Sequence, residues 1–242
     1  MENLSVCPVR TRIFRSGESL SGFVVESVPI SCVRERMLLA VTSKIVSLSE
    51  NRLVSREKID KESLVRREAD VFLAKVCHGC FLTVKDGLFI PSAGIDESNS
   101  ETGDFILYPA DPFSSAKELW RGLKEAWGLR EMGILVTDSH VTPLRRGVTG
   151  VSLSHWGFEA VRKLVGTEDL FGRRLDMTNM NVADGLAASA VMMMGEGNEA
   201  QPLAVISNAP VIFCEESSPE ETRMPLEEDL YYSFFKGVPG LK

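Results

Sequence analysis

Residues 133–137 read Gly-Ile-Leu-Val-Thr and run without a polar break into Asp138. An uninterrupted apolar run of this length, bounded by a turn signal, is read as a fully buried strand. A chain with such a strand must wrap other elements around it, and whatever follows the strand lies where loops build ligand sites. Residues 37–42 (MLLAVT) and 203–207 (LAVIS) are further runs of the same kind.

The remaining elements follow from spacing and turn chemistry. Residues 8–14 read as an extended entry strand closed by Gly17. Residues 61–76 follow Asp60, a helix-capping residue, and carry charge on one face, so a helix is expected. Residues 80–84 and 88–90 read as two strands about the turn Lys85-Asp86-Gly87, and residues 91–104 as a polar loop. Ala116, Leu119, Trp120, Leu123, Ala126 and Trp127 recur at three- and four-residue spacing, which predicts a helix capped by Ser114 or Ser115 and ended by Gly128. Residues 147–153 read as a strand, 182–194 as a helix closed by Gly195 with Met192, Met193 and Met194 as core filling, and 227–235 as a last helix. The acidic stretch 215–228 reads as a loop. Strands and helices alternate only loosely, so the expected class is α+β, one domain over residues 1–242 with room for two subdomains.

Charge and motif content narrow the chemistry. Lys and Arg number 27 against 34 Asp and Glu, a net charge of −7, which argues against a nucleic-acid partner, since such a surface must be basic. The longest near-apolar run, 186–194, is far short of the roughly 20 residues a membrane span needs. The opening MENLSVCPVR has no apolar stretch behind basic residues, and five cysteines without a disulfide-rich spacing fit a reducing cytoplasm. There is no P-loop, GxGxxG, HExxH or GxSxG. Cys77-His78-Gly79-Cys80 is one CxxC without a second pair, read as small hydrophobes at a strand entrance rather than a metal site.

Four segments carry possible chemistry. Asp138-Ser139 places a carboxylate beyond a buried strand. Residues 93–99 (AGIDESN) put oxygen-bearing side chains just after a glycine, and Asp96 with Asp138 would make the carboxylate pair that a magnesium ion bound through phosphates prefers. Arg145-Arg146 offers two guanidinium forks for carboxylate or phosphate. Ser43-Lys44 and Glu50-Asn51-Arg52 again lie just past an apolar strand. Taken singly, each is as readily a turn or a solvated surface.

In order along the chain, VTSKIVSLSENR, SAGIDESN, YPADPFSSA, ILVTDSHVTPLRRG and GTEDLFGRRLDMTNMNVADGLAASAVMMMGEG, followed by an apolar strand, resemble the coenzyme F420-0:γ-glutamyl ligase family. The likeness runs from about residue 8 to residue 207 and is densest over 133–195. The resemblance implies a family-specific α+β fold in an intertwined homodimer. It implies a GTP- or ATP-dependent ligase that phosphorylates an acceptor carboxylate and joins it to the amine of L-glutamate, with two Mg2+ or Mn2+ ions neutralising the phosphates. It implies metal positions at Asp96, Asp138 and Ser139, a late metal ligand at Glu215 or, as preferred, Glu216, and nucleotide positions at Ser43 and Asn99, beside Lys44. The acceptor would be a deazaflavin, or a pterin in the members that serve folate. The sequence departs from the family at Leu48, where a phosphate-side lysine is expected, at Ser92, and at Val141-Thr142 in place of Gly-Arg. Those departures motivate the alternative expectation of a ligand-binding member that has lost turnover.

Overall fold

A computed structural model describes residues 3–76 and 79–241. The elements are β1 (Ser5–Val9), α1 (Leu20–Ser27), β2 (Met37–Thr42), α2 (Ser43–Ser49), β3 (Leu53–Val54), α3 (Lys61–Glu68), β4 (Val71–Lys75), β5 (Phe81–Lys85), β6 (Leu88–Pro91) and β7 (Phe105–Ile106), then α4 (Pro112–Trp127), β8 (Met132–Val141), β9 (Val148–Trp156), β10 (Val161–Lys163), β11 (Asn179–Asn181), α5 (Val182–Met194), β12 (Leu203–Ser207) and α6 (Tyr232–Phe235). Helices and mixed sheets combine as α+β.

The central sheet has the order β1-β12-β2-β8-β9. Only β2 and β8 are parallel, paired from Met37↔Met132 to Thr42↔Thr137. Side chains alternate across a strand, and both faces are covered. Met37, Leu39 and Val41 of β2 join Ile134 and Val136 of β8 in a core with α1 and α4. Leu38, Ala40 and Leu135 pack on the opposite face against Ala183, Leu186, Ala187 and Ala190 of α5. This double burial is why MLLAVT and GILVT carry no charged residue and no polar one before the closing threonine. Helix α5 comes so close to β9 that a Cβ on Gly150 would run into the Ala187 carbonyl.

Between β2 and β8 the chain builds a second unit. The sheet β4-β5-β6 packs with α3 and β7 around Leu64, Val65, Phe81, Ala93, Ile95 and Phe105. Residues after β12 return over both units: Glu159 N donates to Ile212 O at 2.9 Å, and the Phe235 ring meets Phe89 at 5.8 Å between centroids.

The most apolar elements match their sequence expectation: β2 and β12, covered on both faces, and α5 have the expected bounds. Several others are corrected. The entry strand lies earlier, at β1, because its partners are the residues of β12. The helix expected over 61–76 ends at Glu68: Ala69 turns extended and β4 follows, although the Asp60 cap is correct, accepting from Ser63 N. The cap of α4 is Asp111, whose carboxylate accepts from Phe113 N and Ser114 N ahead of Pro112. Strand β8 does not stop at Asp138 but continues to Val141, held by β9, which is longer than expected. The last helix is only a turn, Tyr232–Phe235, after a 3-10 turn at Leu226–Glu228. Of the methionine triplet only Met194 fills the core; Met192 is 76% and Met193 44% exposed. Cys77 and His78 lie outside the described residues. Among the described residues no helix is long and apolar enough to cross a membrane.

Candidate active site

Strand β2 ends at Thr42 and turns directly into α2, so the parallel pair stops there while β8 continues alone against β9. That gap at the carboxyl ends of the two parallel strands is where the chain places its chemistry. Asp138 keeps the face of Ile134 and Val136, and with Ser43, Lys44, Ser47, Gly94, Asp96, Ile106, Leu107 and Tyr108 it lines a pocket of about 20 Å3. A space of that size holds one water-sized group.

The pocket is electrostatically loaded. Lys44 Nζ sits 2.7 Å from Asp96 Oδ2 and donates to Ser98 Oγ at 3.2 Å. Asp96 Oδ1 accepts from Ser98 N at 2.7 Å and from Ser98 Oγ at 2.8 Å. Burial alone would raise the Asp96 carboxyl, but the Lys44 ion pair and the Ser98 donors outweigh it and hold it below the ordinary value. Asp138 has the opposite fate. Burial, with the Asp96 charge adding to it, pushes it up to about 7 against the pull of the Ser139 N–H, the Ser43 hydroxyl and Lys44. Two carboxylates side by side thus end with their proton affinities driven apart, a common mark of a functional site.

Asp96 and Asp138, 42 residues apart in the chain, meet in this pocket, with Ser43 and Lys44 against them. Ser139 follows Asp138 onto the other face of the strand, where it faces Glu196 in the loop after α5. Glu196 was missed by the sequence reading. Burial raises its carboxyl, Ser139 and Lys44 lower it, and Asp96 raises it further. The available signal was its place directly after the α5 cap Gly195, in the GEG that closes the longest shared motif.

Other expected residues are elsewhere. Glu216 is exposed beyond the far end of β9, where its carbonyl accepts from Cys214, and Glu215 pairs with Lys124 at 2.9 Å. Glu216 is thus not brought to this pocket within one chain, and the C-terminal-half carboxylate whose charge is felt by the pocket residues is Glu196, on the Ser139 side of the strand. Arg145 and Arg146 are exposed at the tip of the β8–β9 hairpin and are not brought to Asp138 within one chain, because the hairpin carries them outward. Asn99 is exposed, with a left-handed backbone at φ 56°, three residues past Asp96. Leu48, in the family's lysine position, is buried at the edge of the core, so the cation next to the pocket is Lys44. Glu50 and Arg52 hold the segment that follows β7: Glu50 accepts from Ala110 N at 2.7 Å and Ser115 Oγ at 2.6 Å, and Arg52 Nε donates to Tyr108 O at 3.0 Å.

Asp96, Asp138, Glu196, Ser43 and Ser139 form an anionic, all-oxygen donor set, which suits a hard divalent cation. Asp138 and Ser139 are neighbours in β8 and face opposite sides, the others come from separate segments, and among the described residues no three His, Cys, Asp or Glu side chains are already gathered round one point.

Comparison with known proteins bears on the same residues. The profile of the family described as F420-0:Gamma-glutamyl ligase matches residues 8–208. A Coenzyme F420:L-glutamate ligase of Methanopyrus kandleri is 30% identical over 211 residues, covering 80% of this chain and 82% of that protein. One of Methanococcus maripaludis strain C6 is 32% identical over 216 residues, covering 82% and 86%. One of Archaeoglobus fulgidus is 40% identical over 152 residues, covering 62% and 60%.

Proposed function

Because the chain belongs to the F420-0:gamma-glutamyl ligase family, we propose that it is an amide-forming ligase that joins L-glutamate to the carboxylate of a deazaflavin acceptor of the F420-0 type. The observation that carries this reading is the meeting of Asp96, Asp138, Ser43 and Lys44 at the ends of β2 and β8.

In this reading the acceptor carboxylate oxygen attacks the γ-phosphorus of GTP or ATP. The β,γ-bridging oxygen leaves with the nucleoside diphosphate, and an acyl phosphate forms. The glutamate amine, having lost its ammonium proton to solvent or a nearby carboxylate, then attacks the acyl carbon. Phosphate departs with its electron pair and the amide remains. Phosphoryl transfer of this kind is governed by positioning and charge neutralisation. Lys44 supplies a fixed positive charge beside Asp96. The Ser43 hydroxyl holds Asp138. Asp96 and Asp138, and on the other face Ser139 and Glu196, are the residues that would hold Mg2+ or Mn2+, whose chemistry when bound would be neutralisation of the phosphates. Asn99 belongs to the nucleotide side in this reading, and Arg145 and Arg146 to substrate gripped at the hairpin tip. A homodimer fits Leu170, Phe171, Met177 and Met192, large apolar side chains left exposed on the folded chain.

The test is direct. Purified chain is incubated with glutamate, Mn2+ or Mg2+, GTP or ATP, and either F420-0 or a pterin carboxylate, and products are read by mass spectrometry. One added glutamyl unit on F420-0 supports the reading, and addition to the pterin alone moves the acceptor to the folate type. Binding of nucleotide with no product on either acceptor would instead favour a ligand-binding member without turnover, the outcome to which the buried Leu48 points.

A further inference from the structure

Tyr108 follows β7 in the segment YPADP and is 2% exposed. Its hydroxyl has no hydrogen-bond partner among the described residues, one of four buried side-chain polar atoms in that state. A buried hydroxyl without a partner is a net cost to folding, and such atoms call for an explanation. Phenylalanine would fill the same space without the cost.

The rest of the residue cannot move to find a partner. Arg52 Nε donates to the Tyr108 carbonyl at 3.0 Å, and Leu107 N donates to Arg52 O at 2.9 Å. Glu50 fixes Ala110 N at 2.7 Å. The ring lies directly on Gly94, whose φ is +70°; a Cβ there would run into the ring. With its backbone held at these points and its ring packed on Gly94, Tyr108 lines the 20 Å3 pocket with Ser43, Lys44, Asp96 and Asp138. Among the charges that act on the phenol, Asp138 is the strongest, ahead of Asp86 and Arg223. Asp138 Oδ1 accepts from Ser139 N at 2.8 Å, and a carboxylate has room for several more donors.

We propose that Tyr108 is a positioning residue for Asp138: its hydroxyl is held in reserve as the donor that fixes this carboxylate when a divalent cation occupies the pocket. The inference rests on the reading of the pocket as a cation site. Carboxylates that ligate metals are themselves held by outer hydrogen bonds, and removing such a partner typically weakens metal binding 10- to 100-fold. Ser139 N already holds one Asp138 oxygen, and a bound cation would bring the carboxylate to the phenol.

The test uses the full chain and Mn2+ alone, titrated by calorimetry and by the electron paramagnetic resonance of free Mn2+, in wild type, Tyr108→Phe and Asp138→Asn. Tyr108→Phe should bind Mn2+ about 10- to 100-fold more weakly while melting, without metal, no lower than wild type. Mn2+ binding by Tyr108→Phe equal to wild type, with Asp138→Asn impaired, would overturn this inference alone. A Tyr108→Phe protein that melts well below wild type without metal would show the hydroxyl already paired, and would overturn it as well. No uptake by wild type, or equal uptake by Asp138→Asn, would remove the cation site itself and this inference with it.

Discussion

The Lys44 ammonium lies 2.7 Å from Asp96 Oδ2, on the side of the pocket that Asp138 shares. The chain therefore carries its own cation among its carboxylates. Lys44→Met removes that charge and leaves Asp96 without its partner. Its melting temperature without divalent ions should fall by the equivalent of about 1–3 kcal/mol, the cost of stranding one side of a partly buried pair. Added Mn2+ should restore more stability to this variant than it gives wild type. Thermal melts with and without Mn2+ check both halves, and equal Mn2+ gains in the two proteins would count against Lys44 and a metal sharing one place.

Asp138 sets a pH dependence whose sign can be worked out. Its folded value is raised, to about 7, above the unfolded carboxylate value. The stability it contributes is complete below about pH 4, declines as pH rises, and is gone once pH has passed about 7. Asp138→Asn avoids that decline. Without metal, the variant should gain on wild type between pH 4 and pH 7 and hold a constant advantage above. Allowing for the partial exposure of the group, the advantage is on the order of 2 kcal/mol. Mn2+ should reverse the order, since it stabilises only the protein that binds it. Denaturant melts across pH measure both, and a flat difference would show that Asp138 is not desolvated.

His155 acts at the other end of β9 with the opposite sign. It is fully buried between Phe113 and Phe158, and burial lowers its basicity despite Glu221 at 3.4 Å. A lowered folded value means that the stability it permits is present above about pH 6.5 and is lost as pH falls through the folded value. His155→Phe should flatten the fall in melting temperature between pH 7 and pH 5 relative to wild type. Parallel acid limbs in the two proteins would rule out this buried imidazole as a source of acid sensitivity.

At Gly150, α5 rests on the β9 backbone itself. Gly150→Val must push the helix off the sheet, and overpacking of this kind typically costs about 1–3 kcal/mol. Because α5 also carries the loop with Glu196, Mn2+ affinity should fall with the melting temperature, whereas a surface substitution on α5 such as Ser189→Ala should change neither.

Arg145 and Arg146 are exposed and outside the pocket. If they grip substrate, the double alanine variant should raise KM for nucleotide or acceptor about tenfold or more while leaving the melt and Mn2+ binding unchanged; a bidentate contact has that order of strength. Unaltered KM values would leave the pair as solvated hairpin residues.

The sequence was most legible where burial was two-sided. The runs in β2 and β12 are buried on both faces and α5 is apolar along most of its length, so their bounds and their core were readable. One-sided segments were not. The charged stretch after Asp60 hid the change from α3 to β4, because Arg66, Arg67 and Glu68 are exposed or half-exposed whichever period continues. Within the pocket, Asp96, Asp138, Ser43 and Lys44 were legible because each follows closely on an apolar strand or on the glycine of a tight turn. Nearness in sequence did not place Arg145 and Arg146 beside Asp138 within one chain, since a hairpin moves its tip away from its base. Glu196 lay too far along the chain to be associated with Asp138 without the fold. Tyr108 drew no reading of its own within YPADPFSSA, because only packing shows that its hydroxyl has been left without a partner.

The alternation of β8 limits how this chain can change over evolutionary time. Asp138 and Ser139 serve different faces because Asp138 stands two and four positions after Val136 and Ile134, whereas Ser139 stands three and five. One residue gained or lost between Gly133 and Thr137 would exchange the two at a stroke. It would turn the carboxylate towards α5 and the hydroxyl towards Asp96. Descendants of this chain can vary the length of the exposed hairpin tip freely, but any change of length inside the buried strand must come in pairs.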